Sequence, residues 1–154
     1  MSREIIIKSP KISDYDPKYR DYSHWSGELS HLDRMFTYGN ITPENHPQAC
    51  DLFAGDGVIG NWLENRGWQS QNIACFDIAV SPTPLTGKKI KWFYWDLYEL
   101  SCTLYSRGSF PQEVSLHKNI YDLVFSFSGG EVSEPANDRI VNYFLKPGGM
   151  KFLR

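Results

Sequence analysis

At 154 residues the chain has room for one domain with one core, and too little for a full-sized enzyme core plus a separate substrate domain. Its 16 Lys and Arg against 18 Asp and Glu leave a net charge of −2, so no global field draws it to nucleic acid or to an anionic membrane, and no run approaches the roughly 18 apolar residues that a membrane span needs. Cys50, Cys75 and Cys102 are odd in number, widely spaced and without a CxxC pair, which argues against a disulfide framework and a zinc site and predicts reduced thiols in a cytoplasmic protein.

Residues 3–8 read as a short strand, and residues 14–22, polar and aromatic with Pro17, as an irregular arm. Ser26 then offers an N-cap to a helix carrying Leu29, Leu32, Met35 and Phe36 at helical spacing, with Gly39 as its stop. Residues 1–47 thus predict an arm and a helix that pack on a core formed by residues 48–154. In that core, residues 48–54 predict a buried strand running straight into glycines, followed by a helix over 58–66 that Gly67 closes. Residues 72–78 and 90–95 predict two more strands. Between them Pro82, Pro84 and Gly87 leave little room for a crossover helix, so an irregular crossover and a thinly covered sheet face near Trp92 and Tyr94 are expected. The run Lys88, Lys89 and Lys91 reads best as a solvated strand edge. A helix over 96–106, a loop over 108–119, a strand over 121–127, a helix over 134–145 and a last strand over 150–153 complete the chain. Strands alternating with helices imply a parallel α/β sheet with helices on both faces and right-handed crossovers.

The strongest local signal is Asp51-Leu52-Phe53-Ala54-Gly55-Asp56-Gly57 at the carboxyl end of the first core strand. Residues without a Cβ let the backbone turn sharply and let a ligand lie against main-chain N–H groups at the helix that follows. The competing reading is a tight strand-to-helix turn with no ligand. Taken alone, Gly55, Gly57 and Gly60 also satisfy the GxGxxG pattern of dinucleotide binders, and Asp77, twenty residues after Gly57, suits a ribose in either case or a simple turn cap. The glycines therefore do not choose the cofactor.

Four motifs in order tip the balance. Asp51 stands ahead of the glycine turn; Asp96 follows the third strand in Trp95-Asp96-Leu97; Tyr121-Asp122-Leu123-Val124 forms the fourth strand; and Leu145-Lys146-Pro147-Gly148-Gly149 precedes the fifth. Over residues 48–154 the chain resembles the class I S-adenosylmethionine-dependent methyltransferases. The resemblance implies a three-layer Rossmann-like sheet of order 3-2-1-4-5, a minimal version lacking the family's last two strands, and a methyltransferase that uses S-adenosylmethionine and no metal. It implies a cofactor lying across the strand ends: its methionine moiety over Asp51, Phe53, Ala54, Gly55, Asp56 and Gly57, ribose at Asp77, adenine between Ile78 and Leu97 with Asp96 at its amino group, and Ser126 beside it.

The acceptor is less legible. After the fourth strand the chain has Ser126-Phe127-Ser128-Gly129-Gly130-Glu131, which departs from the family's known substrate-aligning patterns. Ser128 and Glu131 are candidates for substrate contact, as are Tyr19, Tyr22 and Trp25 of the aromatic arm, which either lids a substrate or covers the thin sheet face. Methyl transfer needs alignment of the acceptor more than a base, so no catalytic residue is assigned. Where the sequence stops at Arg154, the fifth strand is expected to present an edge that a second copy or a partner subunit covers. The alternative to an active transferase is a non-catalytic S-adenosylmethionine-fold binding or regulatory subunit of a larger complex.

Overall fold

The computed structural model describes residues 26–78, 80–81, 83–97, 99–100, 112–127 and 134–153. Five strands, β1 (Ala49–Leu52), β2 (Ile73–Asp77), β3 (Lys91–Tyr94), β4 (Tyr121–Ser126) and β5 (Leu145–Leu153), form one parallel sheet in the order β3-β2-β1-β4-β5. The fold is therefore the expected α/β, Rossmann-like arrangement. The three inner strands β1, β2 and β4 are buried at every residue, which is why they read as continuous apolar runs rather than as alternation. β3 is an edge, only partly buried, with Lys91 exposed at its start.

Helices α1 (Ser26–Tyr38) and α2 (Val58–Asn65) pack on one face, and α3 (Gln112–Ser115) and α4 (Glu134–Phe144) on the other. The first core joins Leu32 and Phe36 of α1 to Ile59 and Leu63 of α2 and to Phe125 and Phe152 of the sheet. The second joins Val114 of α3 and Ile140, Val141 and Phe144 of α4 to Leu52, Phe76 and Val124. Alternation along each strand divides the residues between the two cores, Cys50 and Leu52 facing one and Ala49 the other.

Two sequence expectations are corrected. The stretch read as a loop over 108–119 contains the short helix α3, held by burial of Val114 at 0% exposure; one inward apolar residue is too little periodicity to see in advance. The last strand starts at Leu145 rather than Met150, because Leu145 already pairs with Tyr121. Between that pair and Leu123↔Met150, β4 has one residue, Asp122, and β5 has four, Lys146 to Gly149, so the Pro-Gly-Gly turn is carried as a bulge inside the strand. Among the described residues no helix is long and apolar enough to cross a membrane.

The crossover from β2 to β3 carries no helix among its described residues, as expected, yet it is tied down. Glu64 of α2 accepts the Gly87 N–H (2.8 Å) on one carboxylate oxygen and the Ser70 hydroxyl (2.6 Å) on the other. Trp92 Nε1 donates to Thr86 Oγ1 (3.1 Å), which draws the crossover onto the sheet face expected to be bare. Trp92 and Tyr94 remain half-buried and stacked, ring centroids 6.1 Å apart.

Candidate functional site

The turn after β1 is the most unusual backbone among the described residues. Phe53 (φ 63°), Gly55 (φ 59°) and Gly57 (φ 88°) alternate in the left-handed region, so the chain reverses between β1 and α2 within five residues. For the two glycines this is free of steric cost; Phe53 holds a conformation that costs an L-residue about 1–2 kcal/mol. Its side chain, half-buried against the second core, helps to offset that cost. Nothing in the sequence signalled a strained phenylalanine, because side-chain type alone does not report φ.

The turn is held from three sides. The Ala54 N–H donates to the Phe76 carbonyl (2.8 Å), which ties it to β2. The Gly55 N–H donates to Asp77 Oδ2 (2.7 Å), and the Ile78 N–H donates to Asp77 Oδ1 (2.7 Å). The Ser81 hydroxyl donates to Asp56 Oδ1 (2.8 Å), while the Asp56 carbonyl accepts the Leu85 N–H (2.9 Å). Ser81, Leu85 and Thr86 were missed in the sequence, where a proline-containing crossover reads as a spacer.

Three carboxyl groups step along the strand ends. Asp51 of β1 is in register with Cys75, Asp77 lies two residues beyond Cys75 and is in register with Tyr94, and Asp96 lies two residues beyond Tyr94. Each step is about 7 Å toward the carboxyl edge. Asp51 is 2% exposed, and burial raises its pKa well above the usual carboxylate range. Asp77 is 1% exposed, one oxygen accepting the Gly55 N–H of the turn and the other the Ile78 N–H that follows β2. Asp96 is half-buried and caps a helical turn, its Oδ1 accepting the Glu99 N–H (3.0 Å) while its carbonyl accepts the Leu100 N–H.

Of the remaining sequence candidates, Ala54, Gly55 and Gly57 are buried in the turn, and Asp56 and Ile78 are half-buried at its rim. Leu97, 2% exposed, packs into the second core, and Ser126, 0% exposed, donates its hydroxyl to Asn137 Oδ1 (2.8 Å) on α4. Their side chains thus serve the packing of the strand ends. Tyr19, Tyr22, Trp25, Ser128 and Glu131, together with residues 3–8, lie outside the described residues.

The glycines of the GxGxxG pattern have a packing role. A Cβ on Gly57 would stand 2.5 Å from Thr86 Cγ2 and 3.1 Å from Trp92 Cζ2, and one on Gly60 would stand 3.0 Å from Thr86 Cγ2 and 3.3 Å from Cys75 Sγ. The space those glycines leave is filled by this chain's own crossover. In a dinucleotide site the corresponding space admits a pyrophosphate at the helix N-terminus. The geometry here disfavours that use.

No protein-family model matches the chain, and no curated protein matches it. Among the described residues no group of three or more His, Cys, Asp or Glu is placed to hold a metal ion.

Buried Asp51 makes a pH prediction. Its folded pKa lies above its unfolded value near 3.9, so the folded state keeps the proton longer and stability falls as pH rises from about 4 toward the folded pKa. Asp51→Asn removes that loss. In urea titrations the variant should gain on the wild type by at least about 1 kcal/mol between pH 4 and pH 8. Parallel stability curves across that range would show that Asp51 ionises in the folded protein as readily as in the unfolded one.

Proposed function

We propose that the chain binds S-adenosylmethionine at the carboxyl ends of β1, β2 and β3 and transfers its methyl group to an acceptor. The observation that carries this reading is the stagger of Asp51, Asp77 and Asp96 around a turn with three left-handed residues, at the point where the strand order reverses beside β1. In open α/β sheets that crevice is where ligands bind. The packing of Thr86 against Gly57 and Gly60 favours a ligand that needs no phosphate pocket at the α2 N-terminus. A buried carboxyl such as Asp51 suits a ligand that brings positive charge, as the ammonium and sulfonium of S-adenosylmethionine do.

On this reading the residues have distinct tasks. Asp51 matches the cationic end of the ligand, and the main chain of Phe53 to Gly57 shapes the turn around it. Asp77 fixes the Gly55 amide and takes the ribose hydroxyls in charge-assisted hydrogen bonds. The second oxygen of Asp96 accepts from the adenine amino group. Methyl transfer then depends on holding an acceptor in line with the sulfur–methyl bond, which positioning alone accelerates. The reaction belongs inside the cytoplasm, where the cofactor and reduced thiols are found, and the outer edge of β5 is the place for a second copy or a partner subunit.

Titration calorimetry with S-adenosylmethionine, S-adenosylhomocysteine and NAD tests the cofactor. Binding of the first two without NAD is expected; NAD binding alone sinks the proposal. Asp77→Ala should weaken S-adenosylmethionine binding by at least about 1 kcal/mol, through loss of charge-assisted hydrogen bonds. An unchanged affinity in that variant would mean that the ribose is held elsewhere. Tight binding without transfer to any acceptor favours the alternative of a non-catalytic binding subunit.

A further inference from the structure

A second candidate site lies at the opposite end of the sheet and does not rest on the cofactor reading. Gln48 precedes β1, Ile73 opens β2, Lys91 opens β3 and Tyr121 opens β4, and all four line one cavity of about 230 Å3 at the amino ends of the strands. We propose that this cavity binds a small aromatic carboxylate, its charge against Lys91 and its ring against the apolar wall.

The lining carries the chemistry for both halves of such a ligand. Lys91 is its one ammonium, and no carboxylate faces it across the cavity among the lining residues. Gln71 and Asn72 add amide groups to the lining, Gln71 Nε2 donating to Gln69 Oε1 (2.8 Å) and Asn72 Oδ1 accepting from Gln48 Nε2 (3.2 Å). Apart from the Gln48 amide, the rest of the wall is apolar or aromatic, with Ile73 and Phe93 on it and Leu116, 72% exposed, at the mouth. A wall of this kind leaves a bare inorganic anion without apolar partners. The volume is smaller than the roughly 300–1,000 Å3 of pockets for drug-sized ligands, which limits the body to about one ring.

His117 reports on occupancy. Its ring lies edge-on to Phe76, Phe93 and Trp95, with centroids 5.5, 4.6 and 5.3 Å away, and stacks on Tyr121. His117 Nδ1 lies 2.7 Å from the Tyr121 hydroxyl, which burial keeps protonated, and the two share a hydrogen bond whose direction follows the ring's tautomer. Burial first and the Lys91 ammonium second hold the His117 pKa below the ordinary imidazole range. An anion seated against Lys91 cancels the second cause, so its binding and the protonation of His117 favour each other.

The test uses benzoate as probe, followed by calorimetry and by the ring resonances of His117, assigned by comparison with His117→Gln. Saturable binding at millimolar benzoate is expected, together with a rise in the His117 pKa. Lys91→Gln, a change at an exposed edge position, should keep the melting temperature and weaken benzoate at least about tenfold, and Lys91→Arg should restore it. No binding by benzoate, an unmoved His117 titration, or a Lys91→Gln variant that binds equally well overturns the proposal. Equal binding of benzyl alcohol would reduce the site to an apolar cleft, and competition by inorganic phosphate would reduce it to a general anion site; either result also overturns it.

Discussion

Phe36→Ala should lower the unfolding free energy by about 3–5 kcal/mol, the largest loss expected from any single truncation of α1. The ring is 1% exposed and meets four others: Trp62 of α2 at 4.9 Å, Trp68 at 5.7 Å, Phe125 of β4 at 6.3 Å and Phe152 of β5 at 5.4 Å between centroids. It therefore joins the helix that precedes the sheet to α2 and to strands β4 and β5. Three of the neighbours sit in a strand or helix and Trp68 is held by its Nε1 donating to the His46 carbonyl (2.8 Å), so the cavity collapses little and the cost stays near the upper part of the range for aromatic truncation. The polar link between the same helices is weaker. Arg66 pairs with Asp33 and lies over the Phe36 and Trp62 rings, 5.6 and 5.1 Å from their centroids, but both charged side chains are partly exposed. Asp33→Ala should accordingly cost no more than about 1 kcal/mol. Urea unfolding followed by tryptophan fluorescence measures both. A Phe36→Ala loss under about 1 kcal/mol would mean that α1 docks as an appendage and that the sheet is stable without it.

The contrast explains which parts of the fold were legible. Strands β1, β2 and β4 announce themselves as apolar runs because both of their faces are covered, and α1 and α2 because their inward residues recur at helical spacing. α3 has four residues and, among their described side chains, one that is fully buried, Val114, so it leaves no period to detect. β5 hides its first half behind Pro147-Gly148-Gly149, residues that signal a turn, which the bulge opposite Asp122 accommodates without ending the pairing. In the site, Asp77 was picked out by its spacing after the glycines and Asp51 and Asp96 by the resemblance, and the register of β1, β2 and β3 staggers the three along the strand ends. What each carboxylate touches was not legible. Asp77 receives the Gly55 amide across 22 residues, and Asp56 receives the Ser81 hydroxyl across 25, and no local pattern encodes such long-range bonds.

The same limit applies to the glycines, and here substitution separates a ligand role from a packing role. Gly57→Ala should cost about 2–5 kcal/mol of stability, the sum of roughly 1–2 kcal/mol for an alanine at φ 88° and 1–3 kcal/mol for forcing the methyl against Thr86 Cγ2, which would lie 2.5 Å away. Thr86→Ser removes that methyl while keeping a hydroxyl in place of the one that accepts from Trp92 Nε1. In the Gly57→Ala, Thr86→Ser double variant the packing share should be recovered and the backbone share should remain, leaving a loss of about 1–2 kcal/mol. Gly60→Ala meets the same Cγ2 at 3.0 Å without the positive φ, so Thr86→Ser should rescue it more completely. If instead Thr86→Ser rescues neither variant, the crossover is not what the glycines accommodate. The space beside α2 would then be open to a ligand's phosphates, and the case for a nucleotide other than an adenosyl sulfonium would have to be reopened. Rescue of both would assign those glycines to the chain's own packing and leave the acids at the strand ends to define what binds.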